Sequence, residues 1–324
     1  VSNAALLRRR IRDPRFSMEL YGVGRRSRSD VAICYISDSV DQNILNRMRK
    51  LIQSIDVDAL TMNIESLAEC MFTHKWINPF PKFKYSERPD TATAAILDGN
   101  IVIMVDNSPA VMIIPASIFD IIEEADDFNF SPMIGSYLRI TRFFFSIVTW
   151  ILTPLWLLFV NNPDWVPEFM KFVLITDDIT VPVLLQLLIL ELAVDGLKLA
   201  AVNTPTMLST PLSIVAGIVV GEYAVSSGWF NPEALLYMAV VTVGTYGQTN
   251  FEMGYAFKFL RVLTLILTQI FNLGGFIAGV VISVLMIAFN RTITGKSYIY
   301  PLIPWDGKML KRKVLRVRLP HSYK

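Results

Sequence analysis

The sequence predicts an α+β fold, with a cytosolic α/β domain followed by an α-helical membrane domain of four to five apolar segments. Hydrophobic residues make up 53% of the 324 positions and charged residues only 18%, below the roughly 25% of soluble domains. The mean hydropathy is +0.45. Residues 1–142 hold 17 Lys and Arg and 18 Asp and Glu, whereas residues 143–290 hold 4 and 9. The charge therefore indicates a soluble half joined to a lipid-adapted half.

This uneven charge divides the chain into four expected regions. Eight arginines lie within residues 1–28 among few apolar neighbours, which indicates a basic connector over residues 1–29. We expect the α/β domain at 30–130, the transmembrane helical domain at 131–290 and a basic cytosolic tail at 291–324. The chain begins with valine, so we expect a fragment or processed chain whose natural N-terminus lies upstream.

Short alternating runs and helical spacings define the elements of the α/β domain. Residues 31–36 read as a strand, and Asp41 is placed to cap a helix whose apolar positions recur at helical spacing. A second helix is expected over residues 64–72. Three β-like runs follow at residues 91–97, 101–105 and 110–114, separated by turn-forming Asp, Asn, Gly and Pro residues.

The same residues exclude several classes of function. The net charge of +2 argues against nucleic acid as a partner. The two histidines, His74 and His321, are far apart in sequence, so we predict no histidine-based metal site, no catalytic residue and no enzyme activity. Residues 295–297 lack the upstream glycine of a phosphate-binding loop, and we predict no cofactor. Cys34 and Cys70 form no disulfide framework, which suits a reducing, cytosolic side.

Apolar segments follow at residues 143–160, 181–202, 212–230, 234–251 and 262–289. Arg139 and Arg142 precede the first segment, and residues 306–324 contain seven basic residues and one acidic residue. The positive-inside tendency therefore places both ends of this region in the cytosol. An even number of crossings follows, so one of the five segments should not cross the bilayer fully.

Segment 181–202 is the first candidate for the one that does not cross, because it contains Glu191, Asp195 and Lys198. At 100° per residue these positions fall within a sector of about 60° on one helical face. A charge at the bilayer centre costs roughly 3 kcal/mol or more, so this face should avoid lipid. Two alternatives stay open: an interfacial helix with an Asp195–Lys198 pair, or the wall of a pore. Glu222, within segment 212–230, is a further candidate for an ion pathway.

Segment 262–289 is the rival candidate, because residues 272–275 read Asn-Leu-Gly-Gly near its middle. Such a stretch could be a broken or re-entrant helix. Small residues four apart, Gly217 with Gly221 and Gly275 with Gly279, are candidates for close helix packing. That packing could lie within one subunit or in a seam between subunits.

Several ordered blocks of the sequence follow the pattern of one protein family. They are residues 7–11 with 13–14, 24–27, 86–90, 94–99, 101–106, 111–116, 137–139 with 142, 211–221, 300–305 and 316–321. Together these blocks extend over nearly the whole chain and resemble the GerA-type spore germination proteins, the A subunits of germinant receptors. The chain departs from the family pattern by lacking most of the upstream subdomain.

The resemblance implies a cytosolic N-terminal domain and a membrane domain in the inner membrane of a dormant spore. It also implies a homo-oligomer, a pentamer, that conducts ions during germination, with other germination membrane subunits, membrane lipid and monovalent cations as partners. Two hypotheses follow. One is a cation channel lined by the polar face that carries Glu191 and Asp195. The alternative is a non-conducting scaffold that docks germination partners through its cytosolic domain and basic tail.

Overall fold

A computed structural model describes residues 2–72, 78–203 and 217–316. The predicted segment 212–230 lies partly outside these ranges, as do His74, His321 and the last residues of the predicted tail. The chain divides into two compact units, one of Val1–Arg139 with Ile287–Lys324 and one of Ile140–Met286. We call them the sheet unit and the helical unit. The predicted tail thus belongs to the same unit as the predicted α/β domain.

The described residues include five strands and ten α-helices of interest here. In chain order they are α1 (Ser2–Arg10), β1 (Phe16–Val23), β2 (Ser29–Ile36), α2 (Gln42–Gln53), α3 (Ile64–Met71), β3 (Lys84–Ser86), α4 (Pro89–Leu97), β4 (Ile101–Val105), β5 (Val111–Ile114), α5 (Ile118–Ile122), α6 (Pro132–Asn161), α7 (Val183–Asn203), α8 (Pro232–Tyr246), α9 (Phe251–Ala288) and α10 (Gly307–Val314). A π-helical stretch, Gly217–Tyr223, precedes α8.

The strands form one antiparallel sheet in the order β1-β2-β4-β5-β3. Because successive side chains of a strand point to opposite faces, the buried strands supply two separate cores. One core includes Val31, Ile33, Ile103, Met48 of α2, Leu67 of α3 and Ile293. The other includes Cys34, Val102, Met104, Leu7 of α1, and Ala92 and Ile96 of α4. The sheet is therefore covered by helices on both faces.

Most of the predicted elements of this domain are present. The strand expected at residues 31–36 lies within β2, and those expected at 101–105 and 110–114 are β4 and β5. The Asp41 carboxylate caps α2 as predicted, because its Oδ1 accepts the backbone N–H of Asn43 at 3.0 Å. The helix expected over residues 64–72 is α3.

The prediction of a β-like run at residues 91–97 is wrong, because these residues form the helix α4. Pro89 occupies the first turn, where its missing N–H costs no hydrogen bond. The Thr93 hydroxyl donates to the carbonyl oxygen of Pro89 at 2.7 Å. Ala92 and Ile96, four residues apart, are both buried. A single helical turn of buried residues is too short to be distinguished from a strand by its apolar pattern.

The expected basic connector at residues 1–29 also differs from the structure. Residues 16–23 form the edge strand β1, paired along its length with β2. Leu7 and Ile11, also four apart, are buried in the core beneath α1 and α4. The arginines around these two positions outnumber the apolar residues, so the composition of the segment hides the one face that packs.

Glu19 of β1 accepts hydrogen bonds from three side chains in a polar network at the sheet edge. The Tyr21 and Tyr35 hydroxyls donate to its carboxylate at 2.7 and 2.5 Å. The Arg49 guanidinium of α2 donates through Nε at 2.9 Å. Arg49 lowers the pKa of the Glu19 carboxyl group to about 2.

We expect Glu19→Gln to lower the free energy of unfolding at neutral pH by on the order of 1 kcal/mol. The folded pKa is about 2, below the unfolded value of about 4.3. The ionised carboxylate therefore stabilises the fold above about pH 4.3, and this contribution is lost as the pH falls toward the folded pKa. The difference between wild type and variant should shrink over that window.

The measurement is urea unfolding of the full chain in detergent, followed by labelling of the buried Cys34 thiol with an acid-tolerant pyridyl disulfide. Glu69→Gln, at an exposed position of α3, is the control. A difference between wild type and Glu19→Gln that stays constant through the acid window would contradict the assignment.

The tail of the chain is bound to the start of α6 within the sheet unit. The Arg139 side chain is buried, with Nη2 2.5 Å from Glu123 Oε1 and Nε 3.2 Å from Asp127 Oδ2. Its Nη1 donates to the carbonyl oxygens of Arg312 and Lys313 at 3.2 and 3.4 Å. One guanidinium thus joins two carboxylates to the backbone that ends α10.

The helical unit packs α6, α7, α8 and α9 around a shared apolar core. Its buried members include Trp156, Leu157, Leu187, Leu190, Ala234, Met238 and Leu265. Within the described ranges, α6 and α9 are the helices long and apolar enough to cross a membrane, with mean hydropathies of 2.1 and 2.3 over their most apolar windows. This is fewer than the four to five apolar segments we expected. Three charged residues interrupt α7, and α8 has only 15 residues.

The helix α9 is broken at Asn272, whose backbone has φ 51° and ψ −129°. A side chain on Gly275 would overlap the carbonyl oxygen of Leu267, and a Cβ on Gly279 would lie 2.9 Å from the Cα of Thr264. The two parts of α9 therefore fold back on each other as a tight hairpin. A broken helix in segment 262–289 was the alternative to a segment 181–202 that does not cross the bilayer. The structure contains this break.

Candidate charged site in the helical unit

Four charged side chains meet between α7 and α9. Glu191 Oε1 lies 2.5 Å from Arg261 Nε, and Glu191 Oε2 lies 3.5 Å from Lys258 Nζ. Lys258 also forms an ion pair with Asp195 and donates to the backbone carbonyl of Glu191 at 3.1 Å. Glu191 and Arg261 are only 4% and 2% exposed. Both acids of α7 are therefore neutralised by basic residues of the same chain.

Helical spacing accounts for this pairing. Glu191 and Asp195 are four residues apart on α7, and Lys258 and Arg261 are three apart on α9, so each pair occupies one face of its helix. Arg261 also donates to the backbone carbonyl of Thr149 on α6. The guanidinium thus links three helices of the unit, and its five fixed donors suit such a position.

Lys198 adds a third cation one turn further along α7. Its ammonium lies 5.1 Å from the ring centre of Tyr246 and 5.4 Å from that of Tyr255, which is the geometry of a cation–π contact. Asp195 forms its ion pair with Lys258, whereas the interfacial alternative paired it with Lys198. We call Glu191, Asp195, Lys198, Lys258 and Arg261 the charged cluster.

The charged cluster borders a small cavity. The cavity has a volume of about 70 Å³, and all five residues of the cluster line it together with tyrosine and threonine side chains of α8 and α9. Such a volume holds water or a dehydrated ion. The Asp195 Oδ1 atom is buried and has no hydrogen-bond partner among the described residues. With three cations and two carboxylates, the cluster can bind water or an ion at that free oxygen.

The other predicted site residues lie apart from the cluster. Glu222 is exposed in the π-helical stretch. A Cβ on Gly217 or Gly221 would meet no atom within 4 Å, so these glycines are not at a close contact among the described residues. Gly275 and Gly279 are at the hairpin of α9.

Sequence reasoning missed Lys258 and Arg261. Both precede the apolar segment 262–289, where they read as the polar flank of a span. Their spacing of three residues is the signal that could have found them, because it places two cations on one helical face. Which carboxylates they meet depends on packing between segments more than 60 residues apart in the chain.

The chain is similar to a known protein family and to several of its members. The family model for the Bacillus/Clostridium GerA spore germination protein matches residues 1–324. The stage V sporulation protein AF of Bacillus subtilis (strain 168) is 37% identical over 320 residues, which are 99% of this chain and 64% of that protein. The spore germination protein GerLA of Bacillus cereus is 28% identical over 97% of this chain and 64% of its own length.

One solved structure is also similar. It is the N-terminal domain of the A subunit of the Bacillus megaterium spore germinant receptor GerK3, at 30% identity and a TM-score of 0.28 over 35% of this chain and 87% of that domain. The chain spans about 64% of the length of the first two relatives. The family match over the full chain confirms the resemblance carried by the ordered sequence blocks, and the chain belongs to the GerA family of spore germination proteins.

Proposed function

We propose that this chain is a subunit of an oligomeric membrane channel that conducts ions in spore germination. The observation that carries the proposal is the charged cluster, because it places five ionisable side chains beside a cavity between apolar helices. Ionisable residues among membrane helices are costly and mark ion pathways by default. The names of the relatives, which are sporulation and germination proteins, supply the biological setting.

The proposed assembly is a homo-oligomer, a pentamer, in the spore inner membrane, with the sheet unit, which includes the tail, in the cytosol. Monovalent cations pass through a pore lined by the polar face of α7, and other germination subunits associate with it. The cluster as a whole is not negative, so the attraction for a cation comes from the unpaired Asp195 Oδ1, copies of which around an axis would line one pathway. Assembly therefore turns a single site per chain into a filter.

Within this proposal Asp195 has the leading role at the pathway. Glu191 is held by Arg261 on one side and Lys258 on the other, whereas Asp195 Oδ1 has no partner among the described residues. A cation that enters the cavity would meet that oxygen first. Lys198, on the same helix, would repel the cation and so limit how long it stays.

The test is conductance of the purified full chain in planar bilayers across a potassium chloride gradient. We expect Asp195→Asn to lower the cation-to-anion permeability ratio by roughly fivefold, equivalent to about 1 kcal/mol for one removed charge. Lys171→Gln is the control, because Lys171 is an exposed charge of the helical unit whose ion pair among the described residues is with Glu168 at the surface. Unchanged selectivity in Asp195→Asn and Glu191→Gln would remove the cluster from the pathway.

The scaffold is the second candidate, and the sheet unit supports it. A five-stranded sheet covered by helices on both faces offers a folded surface outside the apolar helices for germination partners. The same bilayer recordings separate the two functions. Purified protein that assembles and passes no current in any ionic or gating condition would contradict the channel and favour the scaffold.

A further inference from the structure

The turn before α10 exposes apolar side chains at the surface of the sheet unit. Leu302, Ile303 and Trp305 are 40%, 56% and 72% exposed. The hydroxyl of Tyr300 donates to Asp306 Oδ2 at 3.2 Å across the base of the turn. The turn is thus closed on itself by its own polar groups, and its large apolar side chains remain in contact with water. Such a patch commonly marks an interaction site.

Basic residues follow the turn directly. Asp306 caps α10, because its Oδ1 accepts the backbone N–H of Met309 at 3.0 Å. Lys308 and Lys311 are both exposed on this helix. Asp306 is the one acidic residue of residues 300–316, against the five basic residues of 307–316, so the helix carries a net positive charge. An apolar turn and a positive helix thus adjoin each other in space and in sequence.

We propose that this surface, made of Leu302, Ile303, Trp305, Lys308 and Lys311, docks on an anionic phospholipid membrane. We call it the apolar-basic surface. Its composition is that of an interfacial anchor, in which apolar side chains enter the headgroup region and lysines bind anionic headgroups. Tryptophan is enriched at that depth, because its ring is apolar and its indole N–H is polar.

The position of this surface in the chain supports a lipid partner. Residues 289–299 join it to α9, the apolar helical hairpin that ends at Ala288. The turn therefore follows closely in sequence on a segment that is apolar enough for a bilayer. Long lysine side chains also adapt to a fluid layer of headgroups, which need not present a fixed pattern of carboxylates. The inference is independent of conduction, because a non-conducting scaffold would dock in the same way.

The test uses the full chain in nanodiscs of phosphatidylcholine with or without phosphatidylglycerol. A spin label is placed at Ile303→Cys on a background in which Cys34 and Cys70 are replaced by alanine. The control label is at Leu20→Cys, because Leu20 is also an apolar residue of the sheet unit and is 68% exposed. Collision of the label with oxygen reports lipid, and collision with a water-soluble nickel chelate reports solvent.

We expect the label at position 303 to have a higher ratio of oxygen to nickel collisions than the label at position 20, and only in discs that contain phosphatidylglycerol. The double change Lys308→Glu with Lys311→Glu should lower that ratio by roughly fivefold or more, because it reverses two charges that attract the headgroups. Both labels report from the same folded unit, so a loss of folding would alter the label at position 20 as well.

Three outcomes would overturn the proposal. Equal collision ratios at positions 303 and 20 in anionic discs would show that the surface stays in water. An equally high ratio at position 303 in discs without phosphatidylglycerol would remove the role of the anionic lipid. Shielding of position 303 from both oxygen and nickel would show that a protein surface covers the turn.

Discussion

The Arg261→Met variant is expected to lose roughly 3 to 5 kcal/mol of stability, the effect of removing one partner from a buried ion pair. The change leaves the buried Glu191 carboxylate with Lys258 alone, at 3.5 Å, and frees the carbonyl of Thr149 on α6. Size-exclusion chromatography of the full chain in detergent after heating measures this loss as a lower temperature of half-recovery. Arg261→Lys should recover part of the stability, because it restores the charge without the planar fork.

Two controls define what the Arg261 result means. Lys171→Met removes an exposed pair with Glu168 and should change stability by no more than about 0.5 kcal/mol. The double variant Glu191→Leu with Arg261→Met should be more stable than Arg261→Met alone, because it removes the unpaired charge as well. If Arg261→Met unfolds at the same temperature as Lys171→Met, the buried pair does not hold α7 to α9.

The second large effect is expected at the hairpin of α9, where replacing two adjacent glycines by alanine should change the stability of the chain differently. A Cβ at position 275 would overlap the carbonyl oxygen of Leu267, so Gly275→Ala should force the two parts of α9 apart and destabilise the chain by several kcal/mol, on the order of other overpacked or strained sites. A Cβ at position 274 would meet no atom within 4 Å. Gly274→Ala should therefore be neutral or stabilising by about 0.5–1 kcal/mol, because alanine favours a helix more than glycine does.

Heating the two variants side by side in detergent measures this difference. Since the variants add the same methyl group at neighbouring positions, a general effect of alanine on the apolar helix would change both alike. Equal melting temperatures would mean that the close approach at Gly275 does not hold the hairpin. The bend itself is tied to the end of α6 by a reciprocal amide pair, with Asn162 and Asn272 donating to each other at 2.6 and 2.9 Å.

The sequence predicted helices and strands correctly where two local signals indicated the same element. Asp41 combined a capping side chain with a helical spacing of apolar residues, and β4 combined a β-branched run with turns at both ends. The sequence could not predict α4 correctly, because the apolar and small residues at 91–97 are compatible with a strand or a helix. The choice there depends on Pro89 at the first turn and on the sheet face against which Ala92 and Ile96 pack.

Three of the five residues of the charged cluster could be named from the sequence. The face of Glu191, Asp195 and Lys198 could be found by helical geometry alone, because it lies on one continuous segment. The basic partners of the two acids could not, since Lys258 and Arg261 stand on another helix and ion pairing between helices has no periodicity in sequence. The charge of the cluster, which decides its chemistry, is therefore a property of the packed unit.

The sheet unit is built from two stretches of chain that the whole helical unit separates. Ribosomes release the N-terminal stretch first, before Ile293 exists to complete one of its cores and before the carbonyls of Arg312 and Lys313 can accept from Arg139. The N-terminal stretch of the sheet unit therefore lacks these contacts while the apolar helices are synthesised. The sheet unit can thus be completed only after the helical unit has been synthesised.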